Sequence, residues 1–175
     1  MKNETINTLI KRRSVRSYKD EQITKEELDT VLEAGLYAPT GMNKQTVYFA
    51  VVQNPELLSK LSKMNAAFMG KDTDPFYGAP TAVIVLSDKN NISNAVADGS
   101  LALGNMMNAS YSIGLGSCWI NRAYEMFESD EGKALLKEWG INGDMRGVGI
   151  CILGYPSDDL PNPPPRNDNR VFYIS

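Results

Sequence analysis

The chain has 175 residues, 42% of them hydrophobic, a formal net charge of -3 and no histidine. That length suits one domain with a sizeable core and would cramp two, and the mild acidity argues against a general nucleic-acid or membrane-surface binder. Without imidazole, histidine-dependent triads, imidazole general bases and most zinc-site designs are excluded together.

Glu4 to Lys11 puts Ile6, Leu9 and Ile10 on one helical face. This short helix runs into Arg12-Arg13-Ser14-Val15-Arg16. Three guanidinium groups this close repel one another unless solvent screens them or an anion lies between them, and Ser14 adds a hydroxyl of the kind phosphate accepts. Two readings stand: a phosphate-binding cluster, or a solvated basic turn whose arginines compensate the negative end of the helix macrodipole. On this stretch alone the solvated turn is the commoner arrangement.

Thr24-Lys25-Glu26-Glu27 has the form of a capping box, and Leu28, Val31, Leu32 and Leu36 give the stripe of a helix that stops before Pro39. The following loop, Ala38 to Gln45, is dense in hydroxyl and amide groups and carries Gly41, which permits close backbone approach. A strand is predicted at Val47 to Val52. Asn54-Pro55 then opens a helix through about Met64 with Leu57, Leu58 and Leu61 inward. Asn65 to Gly78 reads as an irregular lid or substrate loop, in which Phe68, Phe76 and Tyr77 either cover a planar ligand or staple the loop to the core. Thr81 to Leu86 reads as a strand buried on both faces.

A long helix rich in small residues is predicted from about Asn91 to Ile113. Each of Gly99 and Gly104 costs it about 1 kcal/mol relative to alanine, which close packing must offset, against a second subunit among other neighbours. Gly114 ends it. The Gly114-Leu115-Gly116 stretch follows a helix and has no third glycine in register, so it is not a dinucleotide fingerprint. Ser129 caps a further helix carrying Leu135, Leu136 and Trp139 and ending at Gly140, and Met145 to Leu153 reads as another strand. Pro161, Pro163, Pro164, Pro165 and Arg166 predict an extended surface segment, with Val171 to Ile174 as a short terminal strand. Cys118 and Cys151 lack CxxC spacing and read as buried free thiols. With no signal-type apolar region and no membrane-length segment, the expectation is a soluble cytoplasmic protein.

Five stretches taken together resemble the nitroreductase family of FMN-dependent oxidoreductases. They are Arg12-Arg13-Ser14-Val15-Arg16, Ala38-Pro39-Thr40-Gly41-Met42-Asn43-Lys44-Gln45, Gly78-Ala79-Pro80, Gly114-Leu115-Gly116-Ser117-Cys118-Trp119-Ile120, and Gly154-Tyr155-Pro156 ahead of the proline-arginine tail. The resemblance covers essentially the whole chain and favours the phosphate reading of the arginines. It implies an α+β fold, a central mostly antiparallel sheet flanked by helices, in an intertwined homodimer with two FMN sites at the interface. Residues 1–160 would form the FMN-binding domain, and residues 161–175 a C-terminal extension packing on the partner subunit.

By position, Arg12, Arg13, Ser14 and Arg16 match the family's flavin-binding segment. The resemblance gives Arg12 the phosphate, Ser14 the phosphate or ribityl region, and Arg16 the pyrimidine end of the isoalloxazine. Pro39, Thr40, Gly41 and Asn43, with Gln45, match the loop that reaches the flavin from the other subunit. Trp119, Ile120 and Asn121 match the segment that passes the ring, where a backbone amide addresses N5, and Arg166 matches a basic tail residue that closes on the phosphate.

The implied activity takes hydride from NADH or NADPH and reduces nitroaromatics, quinones or similar planar small-molecule electron acceptors by a ping-pong mechanism. The flavin carries the chemistry, with no catalytic side chain and no metal. The alternative is a flavin-binding reservoir, sensor or scaffold without robust turnover. Neither a nucleic-acid nor a membrane partner is expected. Three positions depart from the family pattern: prolines stand beside Arg166 where many relatives carry a second basic residue, Arg122 stands where a small residue is common, and Thr40 replaces the commoner serine.

Overall fold

A computed structural model of the chain describes residues 1–90 and 93–174. Its centre is a four-stranded sheet built from β1 (Val47–Val52), β2 (Thr81–Asp88), β3 (Gly116–Ile120) and β4 (Met145–Gly154), in the order β1-β2-β4-β3. Every neighbouring pair is antiparallel. The helices are α1 (Glu4–Lys11), α2 (Lys25–Leu36), α3 (Pro55–Met69), α4 (Ala95–Ser112), α5 (Ala123–Glu128) and α6 (Asp130–Glu138). This is the α+β architecture that the resemblance implies.

Strand β2 explains the layering. Its side chains alternate between two apolar clusters, as a strand covered on both faces must. Ala82, Ile84 and Leu86 join Leu61 of α3, Phe127 of α5 and Leu135 of α6 in one cluster. Val83 and Val85 join Leu28 and Val31 of α2 and Leu103 and Met106 of α4 in the other. Cys118 lies in the first cluster and Cys151 in the second, so two thiols on paired strands face opposite sides of the sheet and stay free. Burial pushes the Cys151 thiol up to about 12, and a group held protonated in this way is inert.

The glycines of α4 divide. Between Val85↔Gly149 and Leu86↔Gly147 the ladder slips, leaving Val148 of β4 as the extra residue of a bulge. A Cβ on Gly99 would meet the Val148 side chain at 2.7 Å, so this glycine admits the bulge against the helix. Around Gly104 no atom beyond its own stretch of helix lies within 4 Å of such a Cβ, and the close packing expected there is absent within one chain among the described residues.

Helix α2 carries the expected capping box: Thr24 Oγ1 accepts the Glu27 N–H at 3.2 Å, and Glu27 Oε2 accepts the Thr24 N–H at 2.8 Å. The same carboxylate accepts the Tyr155 hydroxyl at 2.7 Å, tying the chain just past β4 to the start of α2. That bond, ahead of the others, holds the Glu27 carboxyl below its ordinary value.

Three expectations are corrected, and two elements the sequence did not signal are added. Helix α3 runs on to Met69, past the predicted end near Met64, because Asn65 and Ala66 continue its buried face and Gly70 at φ 63 supplies the left-handed cap. Leu36, predicted inward, is exposed at the last residue of α2. Residues 116–120 form an edge strand and residues 123–128 a short helix, both too short to carry a clear period in sequence. Residues 171–174 form no strand; Val171, Phe172, Tyr173 and Ile174 are exposed and make no bridge to a strand among the described residues. The predicted long helix is seen from Ala95 to Ser112, while Asn91 and Ile92, at its predicted start, lie outside the described residues. No helix among the described residues is long and apolar enough to cross a membrane.

Candidate functional site

The chain leaving α1 is fastened to the sheet by its backbone. Ser14 forms a parallel bridge with Ser117 of β3, with the Val15 N–H donating to the Ser117 carbonyl at 3.0 Å. Tyr18 bridges Pro156, and the Lys19 N–H donates to the Tyr155 carbonyl at 2.9 Å. Val15 and Tyr18 are the buried pegs of this segment, and burial above all keeps the Tyr18 hydroxyl protonated, donating to the Val15 carbonyl at 2.9 Å. A Cβ on Gly116 would strike Val15 at 2.8 Å, so glycine there lets the segment lie close to β3. The 12–16 and 117–121 stretches, far apart in sequence, are therefore neighbours.

Within this segment the arginines separate. Arg13 turns back on α1, donating from Nη1 to the Arg12 carbonyl at 2.6 Å and from Nη2 to the Ile10 carbonyl, so it does what the helix-end reading assigned to the whole cluster. Arg12 does not. Its Nη1 is buried with no hydrogen-bond partner among the described residues, as is Arg13 Nε. Leaving such donors unmet costs more than an ordinary hydrogen bond returns, so an anion that reached Arg12 would relieve a real penalty. Ser14 and Arg16 are exposed alongside.

Strand β3 lies at the sheet edge. Its Ser117 carbonyl points outward to Val15, and strand alternation sends the Trp119 backbone N–H to the same side, away from β4. Ile120 is buried in the core and offers only its backbone. The Trp119 indole is half-buried against the second cluster, with Nε1 unpartnered. Asn121 is held from behind: Asn65, 1% exposed on α3, donates Nδ2 to its carbonyl at 2.7 Å. Sequence reasoning missed Asn65 by placing it in a loop. An amide set among Met64 and Ala66 on a helix's apolar face was the available signal.

Residues 38–45 form a separate structure. A single 3-10 turn, Gly41–Asn43, is knotted by Thr40, whose carbonyl accepts the Asn43 N–H at 3.0 Å and whose Oγ1 accepts the Gln45 N–H at 3.1 Å. Met42, Asn43 and Gln45 all have left-handed φ, near 53°, which non-glycine residues keep only when their surroundings compel it. Asp98 of α4, 4% exposed, supplies part of that compulsion by accepting the Gly41 N–H at 3.0 Å. A cavity of about 610 Å³ under the loop is lined by Pro39, Thr40, Asn43, Gln45 and Asp98 among others. None of residues 12–16 or 119–121 lines it.

Arg166 lies in the exposed tail, beside a shallow cavity lined only by tail residues. The predicted residues thus fall into three groups within one chain: 12–16 with 119–121, the 39–45 loop, and Arg166. No group of acidic or thiol side chains that could hold a metal ion is found among the described residues.

Comparison with known proteins gives a consistent result. A sequence model of the Nitroreductase family matches residues 9–155. A crystal structure of a nitroreductase with bound FMN from Bacteroides fragilis is 31% identical, with a TM-score of 0.90 over 99% of this chain and 100% of that one. An FMN-dependent nitroreductase from Clostridium difficile R20291 is 27% identical, with a TM-score of 0.85 over 99% of this chain and 98% of the other. The FMN reductase [NAD(P)H] of Bacillus subtilis is 34% identical over 131 residues, 66% of this chain and 53% of that protein.

Proposed function

This chain belongs to the nitroreductase family, and from that premise we propose that it is an FMN-dependent NAD(P)H oxidoreductase working as a homodimer. The observation that carries the reading is the buried, unpartnered Arg12 Nη1, set beside an open strand edge that presents the Trp119 amide. These groups fit FMN: the arginine segment has donors for a phosphate, and β3 beside it a backbone donor for a ring edge.

In this reading Arg12 and Ser14 hold the phosphate, and Arg166 from the extended tail closes on it, each arginine contributing roughly 1.5–3 kcal/mol through charge-assisted bonds. Arg13 fixes the end of α1 and with it the direction of Arg12. Arg16 offers a cation to the pyrimidine end of the ring, and the Trp119 to Asn121 backbone passes its edge, steadied by Asn65. The Pro39, Thr40, Gly41, Asn43 and Gln45 loop serves the partner's site. Two features support that assignment: its strained, tightly tied geometry, and the absence of residues 12–16 from the lining of the cavity beneath it.

The chemistry that FMN supplies when bound is hydride acceptance from NADH or NADPH and delivery of electrons to a second substrate. The chain's own task is to bind, align and exclude water, so the absence of histidine is no obstacle. Planar acceptors such as nitroaromatics and quinones suit a stacked arrangement and ping-pong turnover.

Absorbance of the purified protein tests the cofactor: the reading expects a flavin peak or uptake of added FMN, and neither appearing would dismiss it. Anaerobic bleaching by NADH or NADPH, followed by reoxidation with a nitroaromatic, tests turnover. A flavin that neither nicotinamide bleaches would leave a binding protein rather than an enzyme.

A further inference from the structure

The loop after α3 resolves the two sequence readings of its aromatics by splitting them. Phe76 is 2% exposed and belongs to the core, whereas Tyr77 is 40% exposed and turns its ring toward Arg16, whose Cζ lies 6.0 Å from the ring centroid. The side chain of Asp74 arranges this division. Its Oδ1 accepts the Phe76 N–H at 2.9 Å and the hydroxyl of Ser62 on α3, and its Oδ2 accepts the Gly78 N–H at 2.7 Å. The Asp74 carbonyl accepts the Tyr77 N–H at 3.2 Å. So tied, Tyr77 sits at φ 53, a left-handed conformation that a bulky residue adopts only when something forces it.

A forced backbone angle that aims an exposed ring at a cation is an arrangement with a consequence. Arg16 is itself exposed and forms no ion pair or hydrogen bond among the described residues, so the Tyr77 ring is the contact that limits where its guanidinium goes. The electron-rich ring face attracts a guanidinium and stacks with its plane. We propose that Tyr77 is a positioning residue: it holds the Arg16 guanidinium in place for the flavin's pyrimidine end, and the Asp74 knot is the device that aims it. The proposal rests on the reading that Arg16 addresses that end of FMN. A cation fixed there stabilises the negative charge that gathers at that end on reduction, so Tyr77 acts on the flavin's potential through Arg16.

The test uses the FMN-loaded protein and two variants. Tyr77→Gly removes the ring and suits the left-handed φ, so the loop keeps its shape; Tyr77→Phe keeps the ring and loses only the hydroxyl. FMN affinity is read by fluorescence titration and the midpoint potential by anaerobic dye equilibration. Tyr77→Gly is expected to raise the FMN Kd about two- to fivefold, as suits an exposed cation–ring contact, and to move the potential negative. Tyr77→Phe should match the wild type in both, and adding Tyr77→Gly to Arg16→Ala should change neither further. A Tyr77→Gly potential equal to the wild type's, while Arg16→Ala lowers it, would overturn the role of Tyr77, as would Tyr77→Phe behaving like Tyr77→Gly. Wild-type protein that takes up no FMN would overturn the underlying flavin reading instead, and the proposal with it.

Discussion

Helices α1 and α2 are built by the same local rules and meet different fates. Each has a side-chain N-cap, Asn3 for α1 and Thr24 for α2, and each carries acidic residues in its first turn and an apolar stripe. Helix α2 lays Leu28 and Val31 into the core, with Val31 fully buried. Helix α1 buries nothing: Ile6, Leu9 and Ile10 are 39%, 51% and 45% exposed. An amphipathic face that ordinary capping has stabilised but that its own chain leaves half exposed is the kind of surface the proposed homodimer would cover. The exposed apolar tail, Val171 to Ile174, has the same character. The contrast sets a core that the chain completes alone against the proposed cofactor site, which in this reading a second copy completes.

The sharpest way to break that contrast is to place one charge on each helix. Val31→Asp buries a carboxylate without a partner, costing several kcal/mol, and is expected to abolish the folded protein. Ile10→Asp is expected to leave the circular dichroism of the fold intact while raising the dimer dissociation constant at least about 100-fold, since the same penalty then falls on association. Sedimentation over a concentration series checks it, and an unaltered dimer would mean that α1 is a plain surface helix. Next in size, Arg12→Ala is expected to weaken FMN binding about 10- to 100-fold, the loss of one charge-assisted contact, with the dimer still formed. Equilibrium flavin titration reads this directly.

Most of the architecture was legible in the sequence where period and punctuation agree. The capping box at Thr24, Asn54-Pro55 before α3 and the unbroken apolar run of β2 each gave a local signal that the fold keeps. What escaped was structure whose cause lies elsewhere in the chain. The edge strand β3 exists because β4 and the Ser14 segment flank it, not because five residues show a period. The extension of α3 depended on Asn65 finding the Asn121 carbonyl, and residues 171–174 pair with no strand among the described residues. For the site, the basic cluster was visible at once, but its division of labour was not. Only coordinates separate Arg13, whose Nη1 and Nη2 turn back onto α1, from Arg12, whose Nη1 finds no partner among the described residues. Asp74 and Asp98 were likewise invisible as loop anchors, because each acts through backbone amides that no pattern of side chains records.

Smaller effects sharpen the comparison further. Thr24→Ala is expected to cost about 1 kcal/mol of global stability by denaturant titration, because α2 belongs to the core unit. Asn3→Ala, made in the Ile10→Asp background, should leave the midpoint unmoved, because α1 frays independently there. Least of all is the Glu27–Tyr155 tie, a single half-buried hydrogen bond still partly screened by solvent. The depressed Glu27 value means that its contribution is present above the ordinary glutamate range of about 4.3 and fades as pH falls through the lower folded value. The raised Tyr155 value, caused first by the same bond, means that it fades again as pH rises past the ordinary tyrosine range of about 10. Tyr155→Phe should therefore lower the thermal midpoint slightly at pH 7 and much less at both extremes.

The central claim is that each flavin site draws its arginines from one chain and its 39–45 loop from the other. The most direct measurement is flavin stoichiometry in a heterodimer of one Arg12→Ala chain and one Asn43→Ala chain, each of which is expected to bind FMN weakly as a homodimer. Shared sites predict one tightly bound FMN per heterodimer, because the unaltered Arg12 of one chain meets the unaltered loop of the other. A heterodimer with no tight FMN at all would show that each chain builds its site alone, and would contradict the account.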